Sequence, residues 1–367
     1  MRRLAAALAA VIAAAVVTAA VVSAPPADGS PAAASATITG VDLHDGTIIK
    51  SGATFYLYGT QYGCGFQWGI ARTPWCGFGV ATASSMTGPW SAITTLFSPQ
   101  DRSPFAGMTW QELCGGTGEG CFNPRMIIRS GWGPDDGVPI LWFNAPRDFS
   151  GRGANAYYSM GCNSLTGPCG QSAGGQYGTT TKPSMWSCWG NGDFSLVYDN
   201  PRPPVMLCTM PDQTLASERL TVWGTSGVQG SGTSFLGGFT RAEAPGGYRD
   251  PGTGRWVMTF NEPNCGYCNG SGLSYATAAN PEGPYTAPAP VGQGGQPAWG
   301  RRMISATSCG GQPRTVSVID GQAFQVIDLW VGTRNETNAG VHIAPLTYAN
   351  PSGALGQVWR PFTGLGC

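Results

Sequence analysis

The stretch "VDLHDGTIIKSGATFYLYGT", which runs from Val41 to Thr60, decides the fold. It predicts two short β-strands, "GTIIK" and "TFYLYGT", joined by a tight turn at Ser51-Gly52. His44 and Asp45 stand immediately before the first apolar run. A single acid at that place is typical of a turn residue. Its meaning therefore depends on whether other parts of the chain repeat the arrangement.

The same pattern does recur along the chain. Three segments resemble one another: "FGVATASSMTGPW" (78–90), "NAYYSMGCNSLTGPC" (155–169) and "GLSYATAANPEGPY" (272–285). Strongly β-forming runs precede them, namely "TFYLYGT", "PILWFNA" and "RWVMTFN", and two more runs of this type are "PVMLCTM" and "QVIDLWVGT". Five units at intervals of roughly 50–85 residues indicate a repeat architecture.

Four short antiparallel strands per unit are typical of a propeller blade. A two-sheet sandwich also contains many short strands, but it does not repeat one four-strand pattern five times. The sequence therefore predicts an all-β, five-bladed β-propeller over residues 37–367, in which each blade is a four-stranded antiparallel sheet. Because the ring must close, we expect the strand near "ATITGV" to join the last blade.

Acids recur at the beginning of these units. Blade one begins with "HDGTII" and Asp45, blade three with "NGDFSLVY" and Asp193, and blade four with "TRAEAPGGY" and Glu243. The first strand of each propeller blade lines the central channel, so these carboxylates should converge at one mouth. Taken singly, Asp45 and Asp193 suit turns, but recurrence in three blades favours a site.

Converging carboxylates suit glycoside hydrolysis. One acid protonates the departing glycosidic oxygen, and a second, ionised acid deprotonates a water on the other side of the sugar. A third carboxylate can raise the pKa of the first by like-charge repulsion. With two histidines in the chain, His44 and His342, a Ser-His-Asp hydrolase has little support. We interpret His342 as structural.

The order "HD" with an apolar hairpin, "DFSLVYD", "EAP" and "LSYATAANPEGPY" resembles glycoside hydrolase family 43, the five-bladed inverting glycosidases. The resemblance covers about residues 42–350. It implies that Asp45 is the general base, Asp193 the pKa modulator and Glu243 the general acid. Inversion would place the base and acid carboxyls roughly 6.5–9.5 Å apart.

The chain departs from this family in two blades. Blade two reads Phe122-Asn123-Pro124-Arg125 where the family commonly has Trp-Ala-Pro followed by an acid. Blade five reads "SCGGQ" where members often carry a channel histidine beside a calcium or water cluster. A required cofactor is therefore not expected, and a central calcium is possible but unsupported by blade five.

Substrate contacts are predicted at the same mouth. His44 adjoins Asp45, and the resemblance implies that Arg314 reaches the channel from blade five. Asn123 begins blade two, and Arg125 either contacts substrate or pairs with Asp193. Further polar and aromatic candidates lie in the loops that follow the second strands: Phe66, Trp75, Arg147, Asp148, Asp212, Tyr267, Arg334 and Asn335.

Trp68 is the preferred sugar platform, because a loop bounded by Cys64 and Cys76 is a rigid place to present a ring. Aromatic faces suit the apolar faces of sugars. The alternative is that these aromatic rings fill the spaces between blades.

The chain begins with two arginines, a long Ala/Val run and small residues, which predicts a secretory signal peptide and a short leader over residues 1–36. Cleavage after Ala24 or Ala36 fits, and Pro25 disfavours the first. An uncleaved membrane anchor is the alternative.

Twelve cysteines fit an exported, disulfide-bonded protein. Neighbouring cysteines suggest local pairs, and Cys309 with the terminal Cys367 would pin the seam of the ring. The "CGYC" motif around Cys265 and Cys268 is a poor zinc site without a second such motif. We therefore expect a secreted, extracellular protein with no membrane partner after signal cleavage.

Charge is sparse and balanced, with twenty basic and twenty acidic residues. A nucleic-acid partner is not expected, because it needs a basic face. The sequence predicts a monomeric, inverting and exo-acting glycosidase on arabinose-, xylose- or galactose-containing polysaccharide or oligosaccharide. The alternatives are a non-catalytic carbohydrate-binding β-propeller, which needs no such acids, and a structural or adhesive propeller without a pocket.

Overall fold

A computed structural model describes residues 34–115, 119–131, 136–175, 178–190, 192–234, 236, 241–261, 267–286, 303–346 and 365–367. The predicted signal peptide and most of the leader lie outside the described residues. The first strand begins at Ala36, one residue before the predicted domain start. Within the described residues, no helix has the length and apolar character needed to cross a membrane.

The strands are, in chain order, β1 (Ala36–Ile38), β2 (His44–Ser51), β3 (Thr54–Thr60), β4 (Phe78–Ala83), β5 (Thr94–Thr95), β6 (Phe122–Ile128), β7 (Pro139–Asn144), β8 (Tyr157–Gly161), β9 (Thr180–Thr181), β10 (Phe194–Asp199), β11 (Arg202–Thr209), β12 (Leu215–Arg219), β13 (Glu243–Arg249), β14 (Trp256–Asn261), β15 (Leu273–Ala278), β16 (Met303–Ser305), β17 (Gln312–Ile319), β18 (Gln322–Leu329) and β19 (Gly340–Pro345). A short helix, α1 (Trp110–Cys114), is capped at its amino end by Thr109.

These strands form the five antiparallel sheets of a β-propeller, as predicted. Blades one, two and four are β2–β5, β6–β9 and β13–β16. Blade three has the named strands β10–β12, and single bridges from Thr233 and Gly227 occupy its outer edge. Blade five is β17–β19, and β1 completes it by pairing antiparallel with β19. The chain therefore closes its ring with a strand from each end of the propeller, as the sequence predicted.

The first strand of each blade, here called the inner strand, contacts the inner strands of both neighbours. The inner strands β2, β6, β10, β13 and β17 thus form a closed ring around the channel. We call the end of the propeller at which they begin the cavity end. Because strands alternate in direction, the loops after β3, β7, β11, β14 and β18 also lie at the cavity end.

Five hydrophobic clusters fill the five interfaces between blades. The cluster between blades one and two is rich in aromatic rings, among them Phe78, Trp110 and Phe143. All six residues of β7 are buried, since a blade is covered on both faces. This double burial explains why the second strands are continuous apolar runs rather than alternating ones.

Disulfide bonds hold loops at both ends of the propeller. Four pairs lie at the cavity end, namely Cys64–Cys76, Cys114–Cys121, Cys188–Cys208 and Cys309–Cys367, and Cys162–Cys169 lies in the β8–β9 loop at the opposite end. They confirm four of the five expected neighbouring pairs and the bond at the seam. Cys268 is also disulfide-bonded, whereas Cys265 lies outside the described residues.

Candidate functional site

A cavity of about 230 Å³ opens at the cavity end of the channel. Its lining comes from all five blades and the loops between strands: Asp45, Phe122, Asn123, Asn144, Pro146, Asp193, Glu243, Tyr267, Gln312, Arg314 and Trp330. The three predicted catalytic carboxylates, Asp45, Asp193 and Glu243, are thus brought together. Three acids from three different blades have no evident packing role there, and together they can perform acid–base chemistry.

β-Bulges at the heads of the inner strands aim these side chains. In blade one the pairing shifts by one residue between His44 and Thr47, and Asp45 has a positive φ of 53°. In blade two the same shift follows Phe122, and Asn123 has a φ of 60°. A bulge inserts an extra residue and re-aims a side chain, which here turns Asp45 and Asn123 into the channel mouth.

Glu243 differs from Asp45 in its position within the repeat. In blade four the shift lies between Glu243 and Gly246, and Ala244 carries the positive φ of 48°. The equivalent of Asp45 in blade four is therefore Ala244, and Glu243 is the equivalent of His44. The sequence predicted that Asp45 and Glu243 occupy the same position in their repeats, and the structure places them one residue apart. Both carboxylates nevertheless line the cavity.

Asp45 is 2% exposed, and one hydrogen bond holds its side chain while another holds its backbone. Thr60 Oγ1 donates a 2.8 Å hydrogen bond to its carboxylate, and the Asp45 N–H donates to Asp328 Oδ2 at 3.0 Å. Burial raises the pKa of Asp45 to about 7; Arg314 opposes this shift and Asp328 adds to it. A carboxylate with this pKa is suited to act as a base near neutral pH.

Asp193 belongs to a polar network across the channel. Arg314 Nη2 donates to Asp193 Oδ1 at 3.0 Å, and Asn123 Nδ2 donates to the same oxygen at 2.9 Å. Arg314 Nη2 also donates to Asn123 Oδ1 at 2.6 Å. Side chains from blades two, three and five therefore fix the orientation of the Asp193 carboxylate.

The structure reveals a fourth acid, Asp328, behind the cavity wall. It lies on β18, is 1% exposed, and its Oδ2 is 3.6 Å from Arg314 Nε. Burial raises the pKa of Asp328, and Arg314 opposes this. Burial would lower the pKa of Arg314, but Asp193, Asp328 and Asp45 together raise it above its ordinary value. We call Asp45, Asn123, Arg125, Asp193, Arg314 and Asp328 the hub.

The position of Arg314 shows whether the hub residues could hold a central calcium ion. The Arg314 guanidinium already lies among the carboxylates of Asp193 and Asp328 that such a cation would need. Among the described residues, no three acidic, histidine or cysteine side chains form a cluster suited to a metal ion. The described hub residues therefore do not fit a cation in the position of this guanidinium.

Arg125, predicted to contact substrate or to pair with Asp193, lies outside the lining of the cavity. It is 2% exposed and lies below the cavity, where Nη1 donates to Asp45 O at 2.6 Å and Nε to Phe194 O at 3.1 Å. Burial and the nearby Arg314 lower its pKa to about 10. Arg125 thus joins the backbones of blades one and three rather than lining the cavity.

His44 also lies behind the wall. It is fully buried, packs against the rings of Tyr62 and Trp330, and places Nε2 3.3 Å from Asp42 Oδ1. Its bulge partner Asp45 turns into the cavity, while His44 stays in the core. His44 therefore supports the site from outside the lining.

Trp68 was expected to be an open sugar platform, but both faces of its ring are covered. Tyr267 stacks on it at 4.2 Å with an angle of 1° between the rings, and the guanidinium carbon of Arg334 lies 4.4 Å from its centre. Tyr267 in turn packs against Trp330 at 4.6 Å. We call Trp330, Tyr267, Trp68 and Arg334 the aromatic column. Its inner members, Tyr267 and Trp330, form a cavity wall.

Other loop candidates have structural contacts. Asp148 is fully buried, accepts a hydrogen bond from Tyr158 and lies 3.3 Å from Lys182 Nζ. Asp212 accepts hydrogen bonds from Thr214 in its own turn. Further contacts of this kind involve Phe66 and Trp75, which are buried, Arg147, which donates to Glu112 O, and Asn335, which donates to Tyr62 O and Phe66 O.

His342 is structural, as interpreted from the sequence. Its Nδ1 lies 2.7 Å from Thr37 Oγ1 on β1, and its Nε2 lies 3.1 Å from Gly366 O. It joins both ends of the propeller chain at the seam, and burial lowers its pKa.

Comparison with known proteins gives a structural likeness. No family model matches the chain, and no curated protein matches it. The chain is similar to an exo-beta-1,3-galactanase from Phanerochaete chrysosporium, with a TM-score of 0.59 and 16% identity over 84% of this chain and 64% of that one. It is also similar to the native arabinanase from Bacillus subtilis (TM-score 0.52, 15% identity, 84% and 96% covered).

A third similar structure is an endo-1,4-beta-xylanase from Bacteroides thetaiotaomicron (TM-score 0.54, 16% identity, 88% and 97% covered). These likenesses show the fold. The chain spans less than two thirds of the length of the Phanerochaete chrysosporium galactanase.

Sequence reasoning missed Asn144, Pro146, Trp330 and Asp328. Two of them left a signal. Asn144 and Asp328 end or nearly end apolar second strands, and their Cα partners are Phe122 and Gln312 at the heads of inner strands. A polar residue at the end of an apolar second strand therefore indicates a position near the site, because it pairs with the first residues of the inner strand. Pro146 and Trp330 lie in loops without a comparable signal.

Proposed function

We propose that this protein is a secreted glycoside hydrolase of the family 43 type that cleaves arabinose-, xylose- or galactose-containing polysaccharide or oligosaccharide with inversion at the anomeric carbon. One observation carries the proposal: Asp45, Asp193 and Glu243, from three blades, line one cavity. The fold supports it, because the similar structures named above bear the names of galactan-, arabinan- and xylan-cleaving enzymes.

In the proposed mechanism, Glu243 is the general acid and gives its proton to the departing glycosidic oxygen. Asp45 is the general base and takes a proton from the water that attacks the opposite face of the sugar. The raised pKa of Asp45, about 7, suits a base that works near neutral pH. Asp193, fixed by Asn123 and Arg314, adds negative charge that favours the protonated form of Glu243.

We propose exo action, and the size and walls of the cavity support it. Its volume, about 230 Å³, is below the ~300–1,000 Å³ of pockets for drug-sized ligands. The aromatic column adds a wall on the side of blades four, five and one. A small, walled cavity favours a terminal sugar over an internal segment of a chain.

Secretion is supported by the disulfides, which persist in oxidising surroundings. We propose that the enzyme acts as a monomer and without a cofactor, since Arg314 supplies positive charge at the hub.

The test is a panel of aryl glycosides together with arabinan, xylan and galactan, assayed with the wild type and Glu243→Gln. Cleavage by the wild type, with lost cleavage and retained binding in the variant, supports catalysis. Proton NMR of the first-formed anomer tests inversion, and a retained configuration contradicts the assigned roles. Wild-type inactivity on every sugar with clear polysaccharide binding would instead indicate a non-catalytic binding propeller.

A further inference from the structure

Two aromatic side chains at the cavity end are exposed. Phe149, in the β7–β8 loop, is 46% exposed, and Trp189, in the β9–β10 loop, is 43% exposed. Among the described residues, neither ring stacks on another ring or on a cation. This contrasts with Trp68 and Tyr267, whose faces cover each other in the aromatic column.

Each of these two residues is only a few positions in sequence from a residue that lines the cavity. Phe149 follows the lining residue Pro146 by three residues, so their Cα atoms lie within about 11 Å. Trp189 precedes the lining residue Asp193 by four residues, which places its Cα within about 14 Å. The two loops neighbour each other, because the Cβ position of Gly153 lies 3.3 Å from Trp189 Cβ.

Hydrogen bonds and a disulfide hold these two loops in place. The bonds are Ala156 N–H to Gly190 O at 2.9 Å, Asn155 Nδ2 to Pro183 O at 2.9 Å and Met185 N–H to Arg152 O at 3.2 Å. Cys188, next to Trp189, is bonded to Cys208 on β11. The exposed rings therefore stand on a fixed base, which lowers the entropy lost when a ligand binds.

We propose that Trp189 and Phe149 form a binding surface for sugar rings of the polysaccharide on the leaving-group side of the cavity. This inference rests on the proposed function. A sugar ring presents apolar faces that pack on aromatic rings. The aromatic column closes the side of blades four, five and one, so a chain whose end fills the cavity leaves over blades two and three, where these rings lie.

The test compares long and short substrates in Trp189→Ala, Phe149→Ala and the double variant. The probe is whichever of arabinan, xylan or galactan the wild type cleaves, together with the aryl monoglycoside of the same sugar. Trp223→Ala is the matched control, since Trp223 is 49% exposed, packs against Arg129 and lies in the loop after β12 at the opposite end of the propeller.

We expect Trp189→Ala to lower the ratio of polysaccharide to aryl-glycoside kcat/KM by about tenfold, which corresponds to about 1.4 kcal/mol of binding. The double variant should lower the ratio further, and the control should keep the wild-type ratio. An unchanged ratio in the double variant overturns the binding surface while the glycosidase stands. A wild type that cleaves neither substrate class overturns the proposed function itself.

Discussion

Asp45 is a buried acid whose ionisation is set by the charges of the hub. Burial raises its pKa to about 7, Arg314 and Arg125 lower it, and Asp328 raises it. Asp328 also accepts the Asp45 N–H, so one side chain fixes both the backbone and the charge of the proposed base. The reactivity of Asp45 therefore depends on a residue that does not touch the cavity.

We expect kcat/KM on an aryl glycoside to fall as the pH drops below about 7, because the proposed base must be ionised. Asp328→Asn keeps an oxygen that can accept the Asp45 N–H but removes a negative charge. The pKa of Asp45 then falls, and the acidic midpoint of the pH profile should move down by about one unit.

Asp320→Asn is the control for this shift, since Asp320 is an exposed acid paired with Lys50 in the β17–β18 turn. Its pH profile should match that of the wild type. An Asp328→Asn enzyme whose midpoint stays in place would show that Asp328 does not tune Asp45.

The acid and the base should respond differently to the leaving group. We expect Glu243→Gln to lose about 10²–10⁴-fold in kcat on a natural glycoside, because the leaving oxygen needs a proton. The loss should be much smaller on a 4-nitrophenyl glycoside, whose leaving group needs little protonation. Asp45→Asn should be inactive on both, since the water still needs a base. Equal losses in both variants on the activated substrate contradict this division of roles.

At the scale of single elements, the β-bulges at the strand heads place the site. The tight geometry of the blade-one bulge requires a glycine after Asp45. A Cβ atom on Gly46 would lie 1.7 Å from Tyr58 O on the neighbouring strand. Gly46 therefore lets the two backbones approach and turns Asp45 toward the channel.

Gly46→Ala should lower the free energy of unfolding by about 3 kcal/mol and abolish activity, because the clash is with backbone and moves Asp45. Gly52→Ala is the control. Gly52 lies in the next turn with a φ of 59° and open space around it, so the expected loss is about 1 kcal/mol of backbone strain. Urea denaturation and aryl-glycoside assays measure both effects. Wild-type activity in Gly46→Ala would refute the role of the bulge.

The sequence predicted the elements and the cavity carboxylates because both leave local signals. Apolar runs and turn residues predict strands, and acids beside strand heads predict Asp45, Asp193 and Glu243. Trp68 was misjudged because its ring is covered by Tyr267 and Arg334 from other blades, and no local pattern shows such partners. Arg125 was ambiguous for the same reason, since its acceptors, Asp45 O and Phe194 O, are backbone atoms of distant strands.

At the scale of the whole molecule, stability depends on five interfaces between blades and one seam. At the seam β1 pairs with β19, His342 contacts Thr37, and Cys309 is bonded to Cys367. Four of the interfaces join blades that are consecutive in the chain, and the fifth joins blade five to blade one. The seam joins the two ends of the propeller.

We expect Cys309→Ser with Cys367→Ser to lower the free energy of unfolding by about 4 kcal/mol, since the bond closes a loop of 58 residues. Cys162→Ser with Cys169→Ser removes a bond across 7 residues and should cost about 2 kcal/mol. Thermal and urea unfolding of the two double variants measure the difference. A larger loss for the shorter loop would contradict the loop-entropy explanation.

The hydrogen bond from Asp45 to Asp328 crosses the interface between blades one and five, and the time at which it can form follows from the direction of synthesis. Asp45 leaves the ribosome well before its acceptor, because Asp328 lies 283 residues further along the chain. A nascent polypeptide that extends past Glu243 but stops before Asp328 therefore contains all three proposed catalytic residues. It lacks the side chain that accepts the Asp45 N–H and orients Asp45. Hydrolytic competence should therefore arise only after blade five has docked on blade one.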